Sequence, residues 1–224
     1  MVGLGYGWLL RSIYGLMAVG SLVAGFAVDP VLIREIATVA VLVALVPSII
    51  TSISRRRYGP NGFPSRLDLL APIFGFIALI IAGLNIGGPA FLAVARTLVG
   101  ALFLGAVSDC MLLGHWYLVQ PGLERRPLID LVRWTAFLWP LELIVYLLPT
   151  GMISVLTGDI DDGYGGLLGW FWGACSVGAI VLLGATRAAL KEREYSAVMS
   201  ATGLLYLTIL AVFGMDLVAR ACLT

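Results

Sequence analysis

The sequence predicts an all-α integral membrane protein, a bundle of about seven transmembrane helices. Of its 224 residues, 60% are hydrophobic and only 12% are charged, and the mean hydropathy is +1.01. Soluble domains carry roughly 25% charged residues, and a water-soluble core of this size could not bury so much apolar surface. Short polar or turn-rich breaks separate apolar segments of about membrane length. We therefore expect one transmembrane helical domain that covers residues 1–224.

Each predicted helix corresponds to one of these apolar segments. The hydrocarbon core of a bilayer takes roughly 20 residues to cross, and segments of that order lie at 7–28, 31–54, 68–84, 89–119, 128–149, 165–187 and 196–220. The segment at 89–119 is the longest, so its helix should tilt or protrude from the membrane. The first segment is too long for the apolar region of a cleavable signal peptide, and no A-x-A site follows it.

The distribution of Lys and Arg predicts the orientation of the bundle. Basic residues concentrate in three alternate breaks, at 55–66, 120–127 and 187–195. The intervening breaks carry an uncharged turn and an acidic loop with three aspartates, Asp159, Asp161 and Asp162. Because cytoplasmic loops carry the excess of positive charge, the N-terminus is expected in the cytoplasm and the C-terminus on the opposite side. Arg220, near the outer end of the last helix, is the exception. The expected location is the cytoplasmic (inner) membrane, as a multi-pass protein.

A cluster of ionisable side chains is predicted within the outer half of the bundle. Such groups are costly at membrane depth unless they are paired or hydrated, so each requires an explanation. The members are Arg34, Glu35, Arg96, Glu142 and Asp216. Two interpretations are open: the cluster forms a proton or ion path or a polar pocket, or it consists of charges that neutralise one another and fix helix packing.

A second candidate site, for a quinone, a lipid or a proton, lies on the segment at 89–119 and comprises Asp109, His115 and Tyr117. Six residues of helix turn through about 240°, so Asp109 and His115 lie about 120° apart. His115 is either a hydrogen-bonded residue of the aromatic belt or part of a His–Tyr pair at the edge of a pocket. Asp109 is either a functional carboxylate or a structural partner of Arg11 or Arg133.

Several chemistries are not expected within this chain. His115 is the only histidine, so the chain cannot supply both ligands of a bis-histidine haem, although a haem shared with another subunit stays open. The three cysteines are scattered, and no cluster of ligands suggests a metal site. A net charge of +1 argues against nucleic-acid binding. No cofactor is expected within the chain, while a bound quinone or lipid stays open.

Two functional hypotheses follow. The first is a non-catalytic membrane subunit of a larger energy-transducing or electron-transfer complex, with the lipid bilayer and other membrane subunits as partners; short loops and the lack of redox ligands motivate it. The second is a small proton-coupled or small-solute transporter. The predicted group of ionisable side chains in the outer half of the bundle motivates it. Pro140 also does, because it lies two residues before Glu142 and could kink its helix. No nucleophile–base or metal constellation supports a stand-alone enzyme acting on lipid.

Overall fold

The computed structural model describes residues 70–84, 88–120 and 122–223. These residues form helices and no strand, which confirms the predicted all-α class for the part described. The helices are α1 (Leu70–Leu84), α2 (Ala90–Val119), α3 (Arg126–Leu147), α4 (Gly151–Thr157), α5 (Leu167–Ala189) and α6 (Tyr195–Leu223). The predicted helices at 7–28 and 31–54, and the first residues of the one at 68–84, lie outside the described residues.

The described helices belong to two compact units, with the boundary between Asn85 and Ile86. The first unit contains α1, an apolar helix. The second contains α2 to α6. The expectation of a single domain over 1–224 stays a prediction.

Several helices of the second unit are long and apolar enough to cross a membrane, as in a multi-pass membrane protein. They are α2, α5 and α6, of 30, 23 and 29 residues. Helices α3 and α4 meet the same criterion only as a pair, and the pair is bent by 68° at the break between them. The described part of the chain therefore holds three to four candidate membrane spans.

Helix α4 was not predicted, because it lies in the break between the apolar segments predicted at 128–149 and 165–187. The helix is only seven residues long, too short to register as a membrane-length apolar segment. Its side chains Met152 and Val155 are fully buried, and Gly158 ends it in a left-handed conformation, with φ of 84°. Apolar burial explains why this short stretch is helical.

The buried Ser and Thr hydroxyl groups of the second unit are satisfied within their own helices. In a membrane a polar group without a partner costs several kcal/mol, because no water is at hand to replace the lost hydrogen bond. Each of these hydroxyls donates to the carbonyl oxygen four residues earlier, at 2.8–2.9 Å. These residues are Thr97, Thr135, Ser176, Thr186, Thr202 and Thr208. Burial of these hydroxyls therefore leaves no hydrogen bond unmade.

The end of the bundle where α2 and α5 end and α3 and α6 begin is held together by Arg125; we call it the Arg125 end. The Arg125 guanidinium donates to the carbonyl oxygens of Glu192 (2.6 Å), Arg193 (2.8 Å) and Glu194 (3.0 Å), in the loop between α5 and α6. In addition, the Tyr117 hydroxyl donates to the Glu124 carbonyl oxygen at 2.6 Å. Both loops at this end are therefore fixed by side chains from neighbouring segments.

Replacement of Arg125 by alanine should lower the free energy of unfolding by about 1–2 kcal/mol, because three hydrogen bonds from a charged donor are lost at a partly exposed site. Arg126 provides the matched control. Its side chain is 80% exposed, and its nearest carboxylate contact, with Asp130, is 3.8 Å long. Arg126→Ala should change stability by no more than about 0.5 kcal/mol. Thermal unfolding of both variants in detergent tests this, and equal losses would contradict it.

Candidate functional site

At the opposite end of the bundle, Arg96 binds the last turn of α3; we call this the Arg96 end, where α2 and α5 begin and α3 and α6 end. The last carbonyl groups of a helix have no donors within the helix. Arg96 Nε donates to the Val145 carbonyl oxygen at 3.0 Å, and Nη2 donates to that of Leu148 at 2.7 Å. Its positive charge also suits the negative end of the α3 dipole. Arg96 thus joins the start of α2 to the end of α3.

Asp216 on α6 accepts hydrogen bonds from two different helices. The Tyr146 hydroxyl, on α3, donates to Oδ1 at 2.5 Å. The Arg220 guanidinium, one turn further along α6, donates through Nε to Oδ2 at 2.7 Å. The side chain of Asp216 is only 14% exposed. Its negative charge is therefore balanced at membrane depth by one cation and one hydroxyl donor.

Glu142 lies one turn before Tyr146 on the same face of α3. Its side chain is fully buried, and it is the only buried acidic residue in the described part of the chain. Neither carboxyl oxygen has a hydrogen-bond partner there. The charges of Asp216 and Arg220 are near enough to act on it electrostatically. Glu142 therefore differs from the buried hydroxyls, all of which are bonded.

Gly100 allows this group of side chains to contact the backbone of α2. It lies one turn after Arg96. A Cβ atom at this position would lie 2.5 Å from Asp216 Oδ1, 2.9 Å from Arg220 Nη2 and 3.4 Å from the Tyr146 hydroxyl. Any larger residue would displace the carboxylate or the guanidinium.

A pocket of about 60 Å³ opens at the Arg96 end, between the start of α2 and the end of α6. Its polar lining consists of Arg96, Thr97, Tyr146 and Arg220, and apolar residues of α2 and α6 complete it. Because the Thr97 hydroxyl is bonded within α2, the two guanidinium groups and the Tyr146 side chain determine what the pocket can hold. We refer to Arg96, Glu142, Tyr146, Asp216 and Arg220 as the charged cluster.

The structure brings three of the five cluster residues predicted from sequence to one end of the bundle: Arg96, Glu142 and Asp216. The other two, Arg34 and Glu35, lie outside the described residues. Within the described residues, Asp216 pairs with Arg220, whereas Arg96 donates to backbone carbonyl oxygens. Sequence reasoning missed two members, Tyr146 and Arg220. Their spacing of four residues from Glu142 and from Asp216 respectively was the available signal.

The three residues of the second predicted group all lie on α2 and differ in burial and direction. Tyr117 is buried and its hydroxyl is bonded to the Glu124 carbonyl oxygen. His115 is exposed, and Asp109 is half-buried. Two residues of helix turn through about 200°, so the His115 and Tyr117 side chains leave α2 on nearly opposite sides. Arg11, one proposed partner of Asp109, lies outside the described residues.

In the acidic loop between α4 and α5, the Asp162 carboxylate binds backbone N–H groups of the loop and of the start of α5. Asp162 accepts hydrogen bonds from the backbone N–H groups of Gly166 (2.8 Å), Tyr164 (2.9 Å) and Leu168 (2.8 Å). These bonds, that from Gly166 foremost, lower the pKa of Asp162 below its usual value. The carboxylate thus satisfies the N–H group of Leu168, in the first turn of α5.

The charged cluster combines one buried carboxyl group with two guanidinium groups, a second carboxylate and a tyrosine hydroxyl. No group of three or more His, Cys, Asp or Glu side chains positioned to hold a metal ion occurs among the described residues. Comparisons of the chain with protein-family models, with curated proteins and with solved structures find no match. The function must therefore be argued from the geometry of this cluster.

Proposed function

We propose that the chain is a membrane protein that takes up and releases a proton at Glu142, and that it acts as a proton-coupled transporter of a small solute. The observation that carries the proposal is the burial of the Glu142 carboxyl group without a hydrogen-bond donor among the described residues. An ionised carboxylate in such a place costs several kcal/mol. A protonated carboxyl group avoids most of this cost. Of the nearby charges, that of Asp216 opposes the ionised form and that of Arg220 favours it.

The charge balance of the cluster supports reversible protonation. With Glu142 protonated, the described members carry two positive charges, on Arg96 and Arg220, and one negative charge, on Asp216, so the net charge is +1. With Glu142 ionised, the net charge is zero. Neither state leaves a large unbalanced charge at membrane depth, so proton exchange changes the energy of the site only moderately.

The position of Pro140 supports movement near Glu142. Proline inside a helix has no N–H to donate, and its ring clashes with the carbonyl group four residues earlier, so the helix kinks or opens locally. Pro140 lies inside α3, half a turn before Glu142. Bending of α3 at Pro140 would expose the Glu142 carboxyl group first to one side of the membrane and then to the other.

Glu142→Gln in proteoliposomes tests the proposal. A pH-sensitive dye trapped inside the proteoliposomes reports the rate of proton movement. The wild-type protein should move protons when a small solute is added. Glu142→Gln should lower the rate of proton movement by at least about tenfold, equivalent to 1.4 kcal/mol. Glu142→Asp should retain part of the rate. Asp130→Asn, at an exposed position, is the control for a change of charge elsewhere on α3.

Two outcomes would reject this function. If Glu142→Gln lowered only the thermal stability and left proton movement intact, the carboxyl group would be structural. If native mass spectrometry of protein extracted from its own membrane showed stoichiometric partner subunits and no proton movement occurred, the hypothesis of a non-catalytic complex subunit would replace it. That hypothesis stays a prediction, as does a quinone or lipid at Asp109, His115 and Tyr117.

We also propose the finer topology: about seven spans, a cytoplasmic N-terminus and an external C-terminus in the cytoplasmic membrane. The charge asymmetry supports it, because the loops of the Arg125 end are rich in Arg and Lys, whereas the loop at 158–166 is acidic. In a cysteine-free background, a membrane-impermeant maleimide applied to intact cells should label Ile160→Cys and not Arg193→Cys. The reverse pattern would invert the topology.

A further inference from the structure

We propose that the pocket at the Arg96 end binds a small oxyanion, a carboxylate or phosphate group, together with the proton on Glu142. The inference rests on the proposed function and names the class of solute. It starts from the observation that two guanidinium groups, those of Arg96 and Arg220, line one pocket. Guanidinium groups match the planar geometry of carboxylate and phosphate oxygens, which they bind with paired N–H donors.

Arg96 has donors to spare for such a ligand. A guanidinium group carries five N–H donors, and in the described part of the chain two atoms of Arg96 bind backbone carbonyl oxygens. The acceptors that orient the Arg96 guanidinium group are therefore neutral and do not balance its charge, whereas the charge of Arg220 is balanced by that of Asp216. A bound anion would supply the negative charge that Arg96 lacks among these contacts.

The start of α2 adds to the positive character of the pocket. Pro89 is the N-cap of α2, and Gly88 and Pro89 line the pocket with Leu92. The first N–H groups of a helix have no partners within it, and the helix dipole places a partial positive charge there. Because α2 is 30 residues long, its N-terminus reinforces the field of the two guanidinium groups.

The size of the pocket limits the ligand. A single water needs roughly 10–15 Å³ of such space, and the pocket offers about 60 Å³. It has room for a few water molecules or for one oxyanion of a few heavy atoms. A sugar, a nucleotide or a quinone ring is too large.

The charge state of Glu142 links anion and proton. The charges of Asp216 and Arg220 on α6 act on Glu142 and on Tyr146, one turn further along α3, and the charge of Arg96 on α2 acts on Tyr146. Helix α4 has no charged residue, and the one on α5, Arg187, lies in its last turn, at the opposite end. A protonated Glu142 gives the described cluster a net charge of +1, which attracts an anion, and ionisation removes that attraction. Anion binding should therefore be tighter at lower pH, and by linkage the bound anion should favour protonation.

The oxyanion could come from solution or from a lipid headgroup, and the test separates these sources. Thermal unfolding of the purified full chain in detergent is followed with formate, acetate or inorganic phosphate, and separately with short-chain phosphatidic acid, below and above neutral pH at constant ionic strength. We expect the midpoint temperature to rise with one of these anions, and the affinity to be about tenfold higher at the lower pH. A rise with free anions identifies a dissolved solute, and a rise with phosphatidic acid alone identifies a lipid headgroup. No rise with any of them would overturn the proposal.

Variants assign the effect to the pocket. Arg96→Gln should abolish the rise in midpoint temperature. Because this change could also weaken the end of α3, Leu92→Phe, which fills the pocket without altering a charge, provides an independent test. Leu102→Phe is the matched control, since Leu102 is exposed on α2 and does not line the pocket. An anion effect that survived in both Arg96→Gln and Leu92→Phe would place the binding elsewhere and overturn the proposal.

Glu142→Gln separates this proposal from the proposed function. It should retain anion binding and lose the dependence of that binding on pH. If anions bind the wild type but Glu142→Gln does not alter proton movement, only the proton function fails. If Glu142→Gln abolishes proton movement but no anion stabilises the wild type, only the anion site fails.

Discussion

Replacement of Gly151 by alanine should lower the free energy of unfolding by about 3 kcal/mol or more. Gly151 begins α4 with φ of +32°, a backbone conformation that costs a residue with a Cβ atom about 1–2 kcal/mol. The added Cβ atom would also overlap the carbonyl oxygen of Tyr146, a backbone atom that cannot rotate away. Overpacking of this kind adds about 1–3 kcal/mol. Denaturant unfolding of the purified variant in detergent, followed by circular dichroism, measures the loss.

Gly158 offers the control that separates the two contributions. Its φ is +84°, so alanine there meets the same backbone preference, but nothing lies within 4 Å of the added Cβ atom. Gly158→Ala should therefore lose only about 1–2 kcal/mol. Equal losses in the two variants would mean that the contact with Tyr146 contributes nothing.

The sequence predicted the long helices because membrane-length apolar segments have a direct physical cause. The segment predicted at 89–119 is α2, Ala90–Val119, and that at 196–220 is α6, Tyr195–Leu223. The same criterion could not find α4, because a seven-residue helix buries its apolar face through contacts with α5 and α6 that no local pattern records. The spans predicted before residue 68 remain predictions.

The charged cluster could be predicted in part. Arg96, Glu142 and Asp216 share one end of the bundle because consecutive spans alternate in direction, a consequence of the segment order alone. Their partners could not be predicted so easily. Arg220 was treated as an exception to the orientation rule, although its spacing of four residues from Asp216 is typical of a helical ion pair. The binding of Arg96 to the carbonyl groups of α3 depends on where α3 ends, which was predicted two residues too late.

Gly100→Ala should lower both the stability and the function of the charged cluster. Its Cβ atom would lie 2.5 Å from Asp216 Oδ1 and 2.9 Å from Arg220 Nη2. The carboxylate would have to move, and its hydrogen bond from the Tyr146 hydroxyl would be strained or lost. We expect a loss of about 1–3 kcal/mol in the free energy of unfolding, partly offset by the roughly 1 kcal/mol that alanine gains over glycine within a helix. Denaturant unfolding measures the net change, and the proton and anion assays should show weaker activity in the folded variant.

Gly105 on the same helix is the control position, because nothing lies within 4 Å of a Cβ atom built there. Gly105→Ala should therefore be neutral or stabilising by up to about 1 kcal/mol, through helix propensity alone. The two substitutions change the same residue type to the same residue on one helix, so a difference in sign isolates the contact with Asp216 and Arg220. If Gly100→Ala were as stable as Gly105→Ala and bound anions as the wild type does, the close approach of α6 to α2 at Gly100 would not hold the cluster in place.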